Sequence, residues 1–386
     1  MNKSKKLHIL ILPSWYPNTF NLQQGIFFQE QAEALARNKH IVGVLYIHEI
    51  HRTLLFNGKR NFYSNKVFYK NNVYTNIIEY PAIPKLHKLR YYIKKILFKK
   101  MFKDYIKIHG LPNIIHVHSF MVGEFAIWIK ENYGIPYVVT EHYSGFALNK
   151  ISNNNLLNAT KVFAESSCNI AVSRNFKYLL ESKLDKKFIT IPNIVNTSFF
   201  TPINKINNKE FNLINIGFLN KNKNQDMLIK AFASSFQDNL SIKLTIVGDG
   251  PCYNELKALI TKMKLCKQVK LYGRADRIEI KNLLQNSDAF VLSSKYETFG
   301  VVVIEALACG LPVVATRCGG IEDIVISNKL GFLSDINQKS LSLNLNKLYM
   351  NRFNYNKNYI RKYVDNNFSE EVVIKKIEKL YKQLLE

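Results

Sequence analysis

Ser293-Ser294-Lys295-Tyr296-Glu297-Thr298-Phe299-Gly300-Val301-Val302-Val303-Ile304-Glu305-Ala306-Leu307-Ala308-Cys309-Gly310 carries the chain from a strand end into a helix. The apolar run Ala289 to Ser293 predicts a buried strand. Val301 to Cys309 predicts a helix, closed by Gly310 with Pro312 just beyond. Glu297 then falls on the strand-to-helix turn and Glu305 inside the helix. A wholly helical step from one to the other covers roughly 12 Å. That suits two carboxylates holding different ends of one long ligand rather than a pair sharing a proton. Between them, the amides of Phe299, Gly300 and Val301 are the unpaired donors of a helix N-terminus, an anion site. Gly300 lets a ligand approach the backbone closely. The set reads as a carboxylate for sugar hydroxyls, amides for phosphate and a second carboxylate for a ribose. As a bare pair, the same residues also describe a solvated Glu297 and a salt-bridged Glu305.

Outward from this segment, strand-like and helix-like stretches alternate, the pattern of parallel α/β sheets. Before residue 200, strands are expected at Leu7–Leu12, Ile41–Ile47, Ile114–Val117, Tyr137–Thr140 and Asn169–Val172. Helices are expected near Gly25–Arg37, Leu86–His109, Val122–Asn132 and Arg174–Ser182. The Asn/Lys-rich stretch Thr201–Glu210 reads as a linker. A second set of strands and helices follows, at Leu213–Gly217, Asn224–Ser235, Lys243–Gly248, Val269–Tyr272, Arg277–Asn286, Val313–Ala315 and a helix near Gly319–Ile326. An amphipathic helix, Glu370–Leu385, ends the chain. The domains are therefore expected at 1–200 and 201–365, with 366–386 as a terminal helix.

At 386 residues and 47% hydrophobic content the chain suffices for two cores. Lys plus Arg number 54 against 29 Asp plus Glu, a net charge of +25. Such an excess implies an anionic partner: nucleic acid, a phosphorylated metabolite or a membrane surface. No helix-turn-helix, RNA-recognition or zinc pattern accompanies the charge, so no nucleic acid is expected. The five cysteines (168, 252, 266, 309 and 318) form no Cys-x-x-Cys, which points to reduced thiols in the cytosol and no zinc. Lys3, Lys5 and Lys6 before Leu7–Leu12 superficially suggest a signal peptide. The apolar run is short, contains His8 and ends in Pro-Ser-Trp-Tyr-Pro, so a first buried strand is expected instead. No stretch approaches the roughly 18 apolar residues of a membrane helix.

Embedded in strand, Glu-Thr-Phe-Gly, helix and Gly-x-Pro-Val-Val-Ala, the two glutamates resemble the E-x7-E motif of the family-4 retaining glycosyltransferases. The resemblance covers nearly the whole chain. It implies the GT-B fold: two facing Rossmann-like α/β domains with parallel sheets, and a C-terminal helix that crosses back to the N-terminal domain. It also implies that Glu297 meets the donor sugar and Glu305 the nucleotide ribose. Ile214-Asn-Ile-Gly217-Phe218-Leu-Asn-Lys221-Asn-Lys223 resembles the family's Gly-Arg-Leu-x-x-x-Lys-Gly loop, whose Arg and Lys clamp the donor diphosphate. Lys223 matches the Lys, but Phe218 stands where the Arg usually sits. A guanidinium offers bidentate contacts that one ammonium does not reproduce. Lys221, Arg274 or Arg317 then supplies the missing charge, or turnover is weak. Lys221 reads equally as a solvated loop lysine. Val247-Gly-Asp-Gly-Pro251 matches the family's Gly-x-Gly-Pro turn. Leu271-Tyr-Gly273 before Arg274 resembles the element facing the nucleotide base.

On the acceptor side, Leu12-Pro-Ser-Trp15-Tyr16-Pro17 leading to Gly25-Ile-Phe resembles the opening of many polysaccharide-building members. Gly25 lets the helix start approach phosphate and acceptor, and Trp15 and Tyr16 either stack on a sugar or pack against the loop. His142 matches a family histidine that reaches the donor sugar and phosphate. His116 reads as a core histidine and His118 as a second candidate at the strand end. No Ser/His/Asp or Cys/His hydrolase set emerges. Residues 86–107 form a basic, aromatic helix that either lies on an anionic membrane surface or packs into the core with solvated lysines. In the lipid-facing version Lys94, Lys95, Lys99, Lys103 and Lys107 meet the headgroups. The resemblance implies a retaining transfer from a nucleoside-diphosphate sugar to a hydroxyl of a surface glycan or glycolipid, with domain closure excluding water. No Asp-x-Asp pair is present, so no obligatory metal is expected; the sugar nucleotide is substrate, and no cofactor is expected. The expected location is cytoplasmic, peripheral on the inner face of the cell membrane. The alternatives are a catalytically weak sugar-nucleotide-binding scaffold, motivated by Phe218, and a GT-B sugar-nucleotide epimerase.

Overall fold

A computed structural model describes residues 6–50, 63–83, 85–204 and 210–386. Two compact units share the chain. The first comprises Met1–Ala171, Lys177–Ile191 and Ile374–Glu386, the second Val172–Phe176 and Pro192–Val373.

The first unit holds strands β1 (His8–Pro13), β2 (Ile41–Ile50), β3 (Ser64–Lys70), β4 (Val73–Pro81), β5 (Ile114–His118), β6 (Tyr137–Glu141), β7 (Cys168–Ala171) and β8 (Ile189–Thr190). Their order in the sheet is β3-β4-β2-β1-β5-β6-β7-β8. Every residue of β1 and β5 is buried, as strands covered on both faces must be. The pairs are parallel except at the edge, where β3 runs antiparallel to β4. Asn71 and Asn72, at φ 49° and 64°, form the left-handed two-residue turn that joins them. The terminal helix Glu370–Leu385 returns most of its length to this unit. Its Tyr381 is fully buried with the hydroxyl 2.5 Å from His116 Nδ1, and Glu378 lies 2.9 Å from His40 Nε2.

The second unit holds β9 (Phe211–Ile216), β10 (Ile242–Val247), β11 (Val269–Gly273), β12 (Ala289–Leu292), β13 (Val313–Thr316) and β14 (Gly331–Ser334). All pairs are parallel, in the order β11-β10-β9-β12-β13-β14. The chain leaves β9 toward one edge and returns to β12 on its other side, so the loops after these two strands flank a topological switch point. In the first unit the same reversal falls between β1 and β5.

The segment 192–200, expected in the first domain, clusters with the second unit. Arg361 holds it there by donating to the carbonyls of Thr197 and Phe200, and the Val195 amide donates to the Phe368 carbonyl. Of the expected linker, residues 205–209 lie outside the described residues, as do Lys3 and Lys5. The helix expected near Gly319–Ile326 is a short 3-10 turn, Gly320–Asp323, because Gly319 and Gly320 press on the neighbouring loop.

The helix His87–His109 buries Phe98, Met101, Phe102 and Tyr105. Only Lys103 and Lys107 of the five lysines assigned to lipid are exposed; Lys94, Lys95 and Lys99 are half-buried. Burial pulls the Lys94 ammonium below its usual pKa, against the attraction of Glu49 and Glu124. The outward stripe is instead Leu89, Tyr92, Ile96, Lys100, Lys103 and Lys107. Among the described residues no helix is long and apolar enough to cross a membrane.

Candidate active site

The loops after β9 and β12 are stitched together before any ligand enters. The Lys295 amide donates to the Asn222 carbonyl at 2.7 Å, Asn222 Nδ2 to the Tyr296 carbonyl at 3.0 Å, and Ser293 Oγ to the Lys223 carbonyl at 2.8 Å. This lacing brings Lys223 Nζ to 2.5 Å from Glu297 Oε1, which also accepts from Ser294 Oγ at 2.6 Å. The two side chains keep 23% and 14% exposure, enough for a polar ligand to reach both. The Lys223 stem passes over Gly217, whose amide donates to Val247.

Glu297 sits on backbone that cannot drift. Its amide donates to the Cys318 carbonyl at 2.7 Å, and its carbonyl accepts from Gly320 at 2.8 Å. A Cβ on Gly320 would lie 2.4 Å from the Thr298 oxygen, so the approach requires glycine. Ser173 Oγ donates to the same Thr298 carbonyl at 2.7 Å, and Asn175 Nδ2 to the Gly319 carbonyl at 2.6 Å. Gly300 then opens the helix Val301–Ala308 at φ 101°, ψ 60°. The amides of Phe299, Gly300 and Val301 meet no acceptor among the described residues. Phe299 contributes its amide only, since its ring is buried edge-on against Phe368. One turn of chain offers a carboxylate and a row of open N–H groups, and the neighbouring loop adds an ammonium.

Glu305 is 2% exposed and its Oε1 accepts from Arg277 Nη1 at 2.6 Å. Arg277, expected only as a helix start, opens the helix Arg277–Gln285 behind a capping box of Asp276 and Glu279 and lies over the Phe200 ring. The salt-bridged version of Glu305 is therefore the one the structure contains. Gly273 turns at φ 88° with its carbonyl accepting from Gly248.

Phe218 is 56% exposed, and two of the three residues named as substitutes for the absent guanidinium are engaged elsewhere. Lys221 Nζ lies 2.6 Å from both oxygens of Glu255, and Arg274 lies 3.6 Å from Asp249. Arg317 is exposed on the loop after β13.

In the first unit the loop after β1 reaches the helix Ile26–Arg37 through Gly25 at φ 64°. A Cβ there would lie 2.5 Å from the Trp15 carbonyl oxygen. Trp15 is half-buried and stacked on Phe28, with centroids 6.3 Å apart. Tyr16 takes the packed alternative: it is 3% exposed and lies near Tyr46, and burial raises its phenol pKa.

His142 Nε2 and His118 Nδ1 are 3.2 Å apart, so one ring donates its N–H to the other. His118 ends β5 as expected and is fully buried, and its Nε2 meets no partner among the described residues. Beneath it His116 contacts the Tyr381 hydroxyl and Thr140 Oγ1, the core role expected of it. Burial lowers the pKa of His142 and of His116 to about 3, and that of His118 well below its usual value. All three rings are neutral at pH 7. His142 is held from behind by Glu141, a buried carboxylate that sequence reasoning missed. Glu141 accepts from the amides of His142, Tyr143 and Phe120 and from Ser119 Oγ, at 2.7–3.0 Å. Burial raises its pKa against those donors. Among the described residues no group of His, Cys, Asp or Glu side chains is placed to hold a metal ion.

Residues 197–365 match the family described as Glycosyl transferases group 1, and residues 24–199 match Glycosyltransferase Family 4. An uncharacterised glycosyltransferase of Methanocaldococcus jannaschii is 28% identical over 325 residues, covering 82% of this chain and 88% of that protein. Among solved structures, sucrose-phosphate synthase from Thermosynechococcus elongatus superposes with a TM-score of 0.78 at 19% identity, over 98% of this chain and 99% of that one. Anabaena HepE, in complex with UDP and glucose, gives 0.74 at 17% identity, over 97% and 100%. These two likenesses bear on the fold, and they agree with the paired Rossmann-like sheets described above. The chain belongs to the group 1 glycosyl transferases and has the GT-B fold.

Proposed function

We propose that this protein is a retaining glycosyltransferase that moves a sugar from a nucleoside diphosphate to a hydroxyl of a surface glycan or glycolipid. The observation that carries the proposal is the Lys223–Glu297 pair beside the open amides of Phe299, Gly300 and Val301. Binding of UDP and glucose by Anabaena HepE, a protein of the same fold, is in keeping with it. Lys223 and the amides stabilise the leaving diphosphate as its charge grows. Glu297 accepts from hydroxyls of the donor sugar, and the ribose shares Glu305 with Arg277. His142 meets the sugar as a neutral imidazole, able to donate one hydrogen bond without adding charge. The acceptor hydroxyl attacks on the face that the diphosphate leaves, and the proton passes to the departing phosphate.

The protein works in the cytoplasm, with the Leu89–Tyr92–Ile96 stripe of the helix His87–His109 resting on the inner face of an anionic membrane and Lys100, Lys103 and Lys107 facing its headgroups. A lipid-linked acceptor fits that position.

Thermal-shift screening against a panel of sugar nucleotides tests the donor class, because a ligand that binds only the folded state raises Tm. NMR of the product with the best donor then reads the anomeric configuration. Inversion overturns the retaining mechanism. The exposed Phe218 favours one second reading, a binding scaffold of weak turnover. Tight calorimetric binding of the donor with neither transfer nor hydrolysis would establish it.

A further inference from the structure

The helices His87–His109, Gly123–Tyr133 and Asn153–Glu165 form an open pocket of about 180 Å³ in the first unit, lined by helical residues alone. Lys95, Lys99 and Lys161 line it together with Trp128. None of these three ammoniums has a carboxylate within ion-pair distance among the described residues, whereas Lys130 on the middle helix pairs with Glu165 at 3.1 Å. Lys99 Nζ instead lies 4.9 Å from the Trp128 ring centroid, a weak partner that leaves its hydrogen-bonding capacity unused. Glu124 and Glu131 also line the cavity, so three cations face two anions and the lining keeps a positive charge. Glu124 accepts from the Tyr91 hydroxyl and attracts Lys95 and Lys161 from beyond ion-pair distance. The three ammoniums therefore keep N–H donors free above an aromatic floor, the composition that holds a phosphate.

Its position names the source. Residues 91, 95 and 99 form one ridge of the first helix, at i, i+4 and i+8, and that ridge faces the cavity. The adjoining outward stripe carries Leu89, Tyr92 and Ile96, which are 43%, 61% and 49% exposed. An apolar stripe beside a basic hole matches a bilayer lipid, with acyl chains against the stripe and the head in the hole.

We infer that this cavity binds the phosphate of an anionic glycerophospholipid headgroup, held by Lys95, Lys99 and Lys161 over Trp128. The inference rests on the membrane docking proposed above and adds a headgroup-selective site to it. Non-specific attraction through Lys100, Lys103 and Lys107 responds to surface charge alone. The cavity responds to phosphate.

Flotation separates the two. The full chain is mixed with phosphatidylcholine vesicles carrying either phosphatidic acid or oleate, at matched surface charge. The wild type should prefer the phosphatidic acid vesicles by about tenfold. Lys100→Gln/Lys103→Gln/Lys107→Gln should weaken binding to both vesicles and keep the preference. Lys95→Gln/Lys99→Gln/Lys161→Gln should lose the preference, and the corresponding triple Lys→Arg variant should retain it. A cavity variant with wild-type preference overturns the headgroup site while leaving membrane docking in place. Failure of the wild type to float with either vesicle overturns both. In that event, a change in Trp128 fluorescence with glycerol phosphate, absent from the cavity variant, would assign the pocket to a soluble phosphate instead.

Discussion

The two units solve the problem of buried polar chemistry in opposite ways. All nine histidines of the chain precede residue 143, and the second unit has none. The first unit buries a column of neutral rings: His116, His118 and His142 are held uncharged by burial and tied to one another, to Thr140 and to Tyr381. The second builds its site from opposite charges, Lys223 with Glu297 and Arg277 with Glu305. Neutral donors suit the recognition of hydroxyls, and fixed cations suit a leaving group that gains charge.

Acid is the largest lever on that contrast. A histidine whose folded pKa lies below 6.5 leaves the unfolded chain to take up the proton first. The stability it contributes is complete above pH 6.5 and declines as pH falls toward the folded value, about 3 for His116 and His142. Each such ring costs roughly 1.4 kcal/mol per pH unit across that window. Glu141, with a raised pKa, works in the other direction but is a single group. Scanning calorimetry of the full chain between pH 7 and pH 4.5 should show the transition of the histidine-bearing unit falling ahead of the other. His116→Gln should make that fall shallower. Equal sensitivity of both transitions would remove the distinction.

On the charged side, Glu297→Ala and Lys223→Ala should each lower transfer about a hundredfold, roughly 3 kcal/mol of barrier, with little change in Tm. The lacing through Asn222, Ser293 and Lys295 does not depend on either side-chain terminus. Raising the salt concentration cannot reproduce these losses if the pair acts at short range within the site. Activity at wild-type level in both variants would place the chemistry elsewhere.

The third expectation concerns the loops that hold each half in place. Gly25→Ala puts a Cβ 2.5 Å from the Trp15 oxygen at a left-handed φ of 64°. A loss of about 2 kcal/mol is expected, read as a lowered denaturant midpoint. Gly320→Ala is its counterpart in the second unit and should lower transfer as well, because the displaced Thr298 carbonyl carries Glu297 with it.

Gly300 and Glu297 could be placed from sequence because an apolar strand, a short loop ending in glycine and a helix follow in order. Arg277, Ser173 and Asn175 could not. They reach the site from distant parts of the chain, and nothing in their own neighbourhoods marks them. Glu141 was next to a quoted histidine, yet its use is visible only once the amides of three other residues converge on it. The β3–β4 hairpin was missed for a different reason. Strand β3 has no buried face, so no alternating pattern marks it, although Asn71-Asn72 was a usable turn signal. The lysines of the helix His87–His109 misled because a long basic side chain can lie across an aromatic ring. Lys94 and Lys99 do so over Phe125 and Trp128, where a helical-wheel argument places them in water.

The smallest predicted effect bears on how complete the charged half is. Phe218 is more than half exposed, so Phe218→Arg should cost little packing, and a guanidinium there would restore the bidentate contact that the family pattern supplies. Donor affinity or turnover should rise about fivefold, roughly 1 kcal/mol. Lys221→Ala should leave transfer unchanged, because Lys221 is committed to Glu255. If instead Lys221→Ala is the damaging change and Phe218→Arg does nothing, the ammonium abandons Glu255 when the donor binds. The second unit would then assemble its charge on demand, unlike the fixed hydrogen-bonded rings of the first.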